Sequence, residues 1–232
     1  MRNEMSQTAA ALLRKDQGIY SSLPHPFLDG APLAFIYPLI HRKTRLHEMQ
    51  ALRWLKQHTD VKLTPEFILD YYSVLTAGTE LDGNGFRDVP CNIIGGEFLF
   101  VTASAESIPE ETERLCREYA HLNEGSPRNL EDVFKFALEF ICLHPFLDGN
   151  GRSTILLTQF LLSKMGFQCS FLLPVDALQS RIRSPEVTWT TQRCAGIFYG
   201  QKPYEFAPYV DLMISILKET YQILENAVKE FI

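Results

Sequence analysis

Several features are scarce in this chain, and each scarcity closes off a class of protein. The five cysteines (Cys91, Cys116, Cys142, Cys169, Cys194) are odd in number and widely spaced, and no two form a C-x-x-C pair. A disulfide framework or a structural zinc site needs closer, paired sulfur ligands, so the thiols read as reduced and mostly core. That places the chain in a cytosolic setting, its own cell's or a host's. Long apolar runs are missing too. Near the start only Ala9 to Leu13 is continuously apolar, too short for a signal-peptide core, and no stretch reaches the roughly 18 residues of a membrane span. Positive charge is not in excess: 22 Lys and Arg against 28 Asp and Glu leave a net −6, which gives no long-range pull toward nucleic acid or anionic lipid. Charged residues are 22% and hydrophobic ones 46% of 232, the balance of a chain that buries a real core rather than a disordered or fibrous one.

Strand signals are few. Only Asn92 to Ala103, around Gly95-Gly96, predicts a β-hairpin. Elsewhere the patterning is helical. Leu46, Met49, Leu52 and Leu55 keep helical spacing up to about His58. Thr64-Pro65-Glu66 opens a helix that runs through Phe67, Ile68, Tyr71, Tyr72 and Leu75 and stops at Gly78. A helix follows from Ile108 to about Leu122. Leu130, Val133, Phe134, Ala137, Leu138 and Ile141 then form the most regular stripe in the chain, with Ser126 and Asn129 competing as its cap. It ends at His144-Pro145, because a residue before proline is pushed out of the α region. A second buried helix runs from about Gly151 to Met165, and Tyr209 to Phe231 mark a last long one. Residues 18–38, dense in proline and glycine, read as an irregular surface arm. The expectation is an all-α protein with one small β-hairpin, divided into an N-terminal arm and helical extension (1–62), a core (63–180) and a C-terminal helical extension (181–232) packed on the same domain.

Chemistry concentrates between the two buried helices, in His144-Pro145-Phe146-Leu147-Asp148-Gly149-Asn150-Gly151-Arg152. Two glycines in a short loop let backbone amides converge on an anion, and the loop opens onto a helix N-terminus whose unpaired N–H groups and dipole favour phosphate. Arg152 adds a bidentate donor for phosphate oxygens. Asp148 supplies the hard carboxylate that Mg²⁺ takes alongside substrate phosphates. His144 titrates near neutrality and can accept a proton. Phe146 and Leu147 are expected to turn inward and anchor the loop. Anion nest, metal carboxylate and base together describe a nucleotide-phosphate site.

At this string the sequence strongly resembles the Fic family, whose signature is H-P-F-x-[D/E]-G-N-G-R; all eight specified positions match, and they sit in the predicted helix–loop–helix context. The likeness extends more loosely over roughly residues 64–175, with Gly85-Phe86-Arg87 and the hairpin at 92–103 similar to the family's Gly-x-x-Arg-type segment and target-docking flap. The resemblance implies a helical Fic fold. It also implies transfer of part of a nucleotide, most often AMP from ATP, onto a Tyr, Thr or Ser hydroxyl of a target protein. His144 would take the hydroxyl's proton, Asp148 would hold Mg²⁺, and Gly149, Asn150, Gly151 and Arg152 would cradle the phosphates. Phe98, Phe100 and Val101 would belong to the flap that docks the target. Some relatives instead remove such a group, and a non-catalytic module that senses a nucleotide or holds a partner is the reading of another class.

The chain departs from the family pattern at one point. Many members continue G-N-G-R-x-x-R, and here the last position is Ile155, which cannot bind phosphate. ATP would then lose a γ-phosphate contact, or the donor would be another nucleotide or a diphosphate-linked donor such as CDP-choline. The family's inhibitory glutamate motif has two imperfect echoes, Thr44 with Glu48, and Glu225-Asn226 preceded by Tyr221. Both also fit ordinary solvated helix positions. His25 to Gly30 copies the first six letters of the signature and then diverges, which suits a surface turn. Asp82-Gly83-Asn84-Gly85 lacks the preceding histidine and suits a turn before the hairpin. His41, His47, His58 and His121 show no metal-ligand spacing.

Overall fold

The structure is a computed structural model describing residues 2–23, 46–95, 98–173, 178 and 184–231. Its described elements, in chain order, are α1 (Arg2–Ser22), α2 (Leu46–Gln57), α3 (Pro65–Thr76), β1 (Asn92–Gly95), β2 (Phe98–Val101), α4 (Ile108–Glu118), α5 (Leu130–Leu143), α6 (Asn150–Lys164), α7 (Pro185–Ala195) and α8 (Phe206–Phe231), with short 3₁₀ turns between some of them. The fold is mainly helical with one two-stranded antiparallel sheet, as the sequence predicts. Among the described residues no helix is long and apolar enough to cross a membrane.

α6 is the central helix. Every residue from Ser153 to Leu162 is buried, so it is enclosed on all sides. The Thr154 and Thr158 hydroxyls donate to the carbonyls four residues back and Gln159 Nε2 donates to Leu173 O at 2.9 Å, whereas Ser153 Oγ and Gln159 Oε1 are buried without a hydrogen-bond partner among the described residues. α5 packs along α6, α2 packs on α3 and α6, and α8 crosses α5 and α7. The start of α3 is set by Thr64, extended at φ −133°, whose hydroxyl accepts the Phe67 N–H at 3.2 Å. At the other cap the competition resolves by division. Ser126 caps the 3₁₀ turn Pro127–Asn129, and α5 proper begins only at Leu130.

Two helices stand where the sequence predicts none, α1 and α7. Residues 18–22 belong to α1 and are not part of an irregular arm; residues 24–45 lie outside the described residues, and with them His25 to Gly30, His41 and Thr44. α1 is held by a buried acid. Asp16 is fully buried and accepts the Gln168 N–H (2.8 Å), the Cys169 N–H (2.9 Å) and the Tyr221 hydroxyl (2.8 Å), so it staples α1 to α8 and to the chain following α6. Burial raises its carboxyl above the usual range, although all three donors pull the other way. Asp16→Ala leaves three donors, two of them buried, without an acceptor, and the expected loss is about 2–4 kcal/mol, read as a drop in denaturant midpoint. A midpoint equal to wild type would show that the staple contributes nothing.

The hairpin pairs Asn92 with Val101, Ile93 with Phe100, Ile94 with Leu99 and Gly95 with Phe98. A third segment extends it. The Val101 N–H donates to Ile197 O and the Tyr199 N–H donates to Val101 O, both at 2.8 Å, so the loop after α7 lies parallel to β2. Tyr199 is itself fixed from below: its hydroxyl donates to Glu111 at 2.8 Å, next to Arg114, which also pairs with Glu118 and with the buried Glu139. All five cysteines are free thiols; four are buried and Cys91 is partly so.

Candidate active site

α5 ends where proline forces it to. His144 precedes Pro145 and leaves the helix in the left-handed region, φ 55° and ψ 59°; it is the one non-glycine among the described residues with positive φ. That conformation costs about 1–2 kcal/mol for an L-residue and needs external support. The support is Arg87, itself almost fully buried. Its backbone N–H donates to Pro145 O (2.9 Å), and Nε donates to His144 O (2.7 Å). Nη1 donates to Val89 O (2.8 Å), and Nη2 to Ala103 O (2.6 Å) and the Thr102 hydroxyl (3.0 Å). One guanidinium thus joins the end of α5 to both legs of the hairpin, and its charge sits where the helix dipole is negative.

The His144 ring is placed for proton acceptance. Nδ1 lies 3.2 Å from the Ile141 carbonyl, which can only accept, so Nδ1 carries the hydrogen and Nε2 keeps its lone pair. Burial lowers the imidazole from 6.5 to about 4. The Ile141 carbonyl and Asp148 oppose this shift and Arg87 adds to it, so the ring is neutral at physiological pH.

Between His144 and α6 the loop is held by three inward anchors. Phe146 is fully buried and stacks on Tyr72, with centroids 3.6 Å apart and planes 2° from parallel. The Tyr72 hydroxyl donates to Asp148 O at 3.0 Å. Asn150 closes a two-way bridge: its Oδ1 accepts the Phe146 N–H (2.9 Å) and its Nδ2 donates to Phe146 O (2.7 Å). Leu147 does not turn inward as expected. It is 49% exposed, because Phe146 fills the single inward slot and the pinned Asp148 carbonyl turns the intervening residue out.

Gly149 caps α6 at φ +84°, where a Cβ would stand 3.5 Å from Tyr72 and Arg152. Its N–H donates to Asp148 Oδ1 at 2.6 Å. Behind it the amides of Asn150, Gly151 and Arg152 open the helix without intrahelical acceptors; the Ser153 N–H is the first to close, on Gly149 O at 2.8 Å. Gly151 is informative because its backbone is ordinary and a Cβ there would meet nothing within 4 Å. Neither the turn nor the packing requires glycine at that helical position. The missing side chain leaves the approach to the amides of this helix N-terminus clear. Arg152 leans over this opening, with Nη2 3.4 Å from Asp148 Oδ2, and the Asp148 side chain projects into solvent.

The structure therefore brings Asp148, Gly149, Gly151 and Arg152 together at the start of α6, with His144 near enough to Asp148 for their charges to interact. The Asn150 side chain is committed to Phe146, which leaves only its backbone N–H to face a ligand. Ile155 is buried in the core and adds no cation. In the flap, the side chain of Phe98 lies outside the described residues. Phe100 is fully buried on the inner face and Val101 is half-buried, so Phe100 cannot meet a target: alternation along β2 turns it to the core and turns Leu99, opposite Ile94, outward. The roles of Arg87 and Tyr72 carry no advance signal beyond the family-like Gly85-Phe86-Arg87 and a core stripe. Asp82 caps a turn, accepting the Gly78 N–H at 2.8 Å. Glu225 pairs with Lys15 and Lys229 at the surface, whereas Glu48 is buried on α2. Among the described residues no cluster of three metal-ligating side chains occurs.

Residues 62–162 match the Fic/DOC family. The matched segment holds the opening, the hairpin and the Arg87 clamp. The fold likeness reaches further. A Fic-domain-containing signalling protein from Bacteroides thetaiotaomicron aligns over 96% of this chain and 98% of its own at TM-score 0.62 and 20% identity. A Fic family protein from Desulfovibrio desulfuricans aligns over 95% of this chain at TM-score 0.53 and 18% identity; the present chain spans 64% of that protein. At such identities the likeness is one of fold. A search of curated proteins finds no match.

Proposed function

We propose that the protein is a Fic-type transferase that moves a nucleotide-derived group, AMP from ATP in the first instance, onto a Tyr, Thr or Ser hydroxyl of a target protein. The observation that carries this reading is a neutral imidazole with an open Nε2 beside helix amides whose glycine has no internal reason to be glycine. The hydroxyl proton passes to His144 Nε2 as the hydroxyl oxygen bonds the α-phosphorus; the bond from that phosphorus to the bridging oxygen breaks, and pyrophosphate leaves. The amides of Asn150, Gly151 and Arg152 orient the phosphates, and the Arg152 guanidinium offsets their charge. Asp148, a single outward carboxylate next to the phosphate opening, suits Mg²⁺, which takes one or two carboxylates plus substrate phosphates and when bound would neutralise charge on the leaving group.

The test offers ATP, UTP, GTP, CTP and CDP-choline separately, with Mg²⁺ and cell lysate, and reads adducts by intact mass and peptide mapping. A histidine-dependent adduct with at least one donor is expected, and none with any donor sinks the transfer reading. Gly151→Ala isolates the cradle. The methyl has room and alanine favours helix by up to about 1 kcal/mol, so the melting temperature should hold or rise. Nucleotide affinity should fall about tenfold or more, since the methyl occupies the approach to the amides. Unchanged affinity would place the phosphates elsewhere.

A further inference from the structure

Two hydroxyls beside the start of α6 are left unpaired. Tyr71, on α3, and Ser153, the fourth residue of α6, are fully buried, and neither the Tyr71 phenol oxygen nor Ser153 Oγ has a hydrogen-bond partner among the described residues. Ser153 is the exception among its kind. The six buried threonines of the helices each donate to the carbonyl four residues back. The same acceptor, Gly149 O, stands behind Ser153 and takes only its N–H. A buried hydroxyl without a partner costs stability, so two of them in one place call for a reason.

The third incomplete group is a cation. The Arg152 side chain is only 15% exposed, yet its one hydrogen bond among the described residues is the contact from Nη2 to Asp148 Oδ2, long for a charged pair at 3.4 Å. The guanidinium lies close to both phenols. A Cβ built on Gly149 would stand 3.5 Å from both Arg152 Nη2 and the Tyr72 ring, and the Arg152 charge acts on Tyr71 as well as on Tyr72. Burial raises the Tyr71 phenol, Ser153 and Arg152 pull it down, and the Glu48 and Tyr72 charges add to the rise. Tyr71, Ser153 and Arg152 are thus neighbours: two hydroxyls with free lone pairs beside a guanidinium with free N–H groups.

We propose that Arg152 has a second position, taken when phosphate occupies the α6 amides, in which Tyr71 and Ser153 are its positioning residues. A phosphate outcompetes the single long contact to Asp148, and the guanidinium turns to it while an inner N–H donates to the Tyr71 oxygen. The Tyr71 hydroxyl in turn donates to Ser153 Oγ. All three groups are then satisfied, and the plane of the guanidinium is fixed so that its outer edge meets two phosphate oxygens, the fork that a lysine cannot form. This rests on the phosphate-site reading above. Neither Tyr71 nor Ser153 belongs to the string 144–152, so the relay gives α3 a part in the site that the loop does not disclose.

The test builds every variant on His144→Ala, so that ATP is bound and not consumed. Calorimetric titration with ATP and with inorganic pyrophosphate, each with Mg²⁺, reads the relay, and thermal melting without ligand reads the free fold. Tyr71→Phe removes a hydroxyl that has no partner in the free protein, so its melting temperature should hold or rise, while affinity for ATP should fall about tenfold. Ser153→Ala, which suits a helix, should melt no lower than the parent and lose about threefold. Because the relay acts through the guanidinium, Tyr71→Phe added to Arg152→Ala should change affinity by less than about twofold. Parental affinity in Tyr71→Phe and Ser153→Ala, or an equal loss with and without Arg152, overturns the positioning role. So does a Tyr71→Phe protein that melts several degrees lower, since its hydroxyl would already be bonded within the fold. A parent that binds neither probe refutes the phosphate site, and the relay with it; a parent that binds, with indifferent variants, refutes the relay alone.

Discussion

His144→Ala is expected to lower transfer roughly 10²–10⁴-fold, the usual worth of a general base, while nucleotide affinity stays close to wild type. The separation follows from the geometry. The amides that open α6 are positioned by Asn150, Tyr72 and Phe146, none of which leans on the imidazole. Initial rates of adduct formation and a nucleotide titration check the two halves independently. The pH dependence sharpens the expectation. Because burial lowers His144 to about 4, the acidic limb of the wild-type rate profile should fall near that value and not near 6.5. Stability follows the same shift. The unfolded chain binds a proton at this residue between about pH 6.5 and 4 and the folded chain does not, so acidification through that window destabilises the wild type. The alanine variant lacks that contribution, and its melting temperature should fall less than the wild type's between about pH 7 and about pH 4.5. Parallel losses would mean that the ring is not desolvated.

Arg87→Met should be the most damaging single change to the fold around the site. Methionine keeps most of the volume and removes the charge and all five side-chain hydrogen bonds, the fifth from Nη2 to Leu143 O at 3.4 Å, stranding the buried carbonyls of Ala103 and Leu143 and releasing those of His144 and Val89. Breaking a buried charged network in this one-sided way costs about 3–5 kcal/mol, which in a chain of this size is on the order of 10 °C in melting temperature. Transfer should fall further than stability alone accounts for, because the left-handed turn at His144 and the hairpin lose their common tether. Arg87→Lys should recover little: a compact ammonium cannot reach carbonyls on three sides. A methionine variant that melts like wild type would refute the clamp.

What the sequence discloses here depends on whether the signal is local. Thr64-Pro65 and His144-Pro145 encode their helix boundaries in a few covalent letters, and both fall where expected. The amide opening was legible for the same reason, since Gly149, Gly151 and Arg152 are adjacent. α1 was not, because its buried stripe of Ala9, Leu12, Asp16, Ile19 and Leu23 contains a small residue and an acid whose three partners lie more than 150 residues away. α7 buries only Val187, Thr191, Cys194 and Ala195, too little for a visible apolar face. Arg87 showed its identity but not its acceptors. Leu147 and Phe100 show the limit of reading hydrophobicity as direction: one apolar residue faces water because its neighbour fills the slot, and the other faces the core where a docking role was expected.

The Asp16 staple also bears on how the molecule is made. Tyr221 is synthesised 205 residues after the carboxylate it meets, so α1 leaves the ribosome long before its partner exists. At about 5–20 residues per second that interval is roughly 10–40 s. During it residues 62–162 can assemble around α6, the chain following α6 can present the Gln168 and Cys169 amides to Asp16, and α8 then completes the set of donors that hold α1.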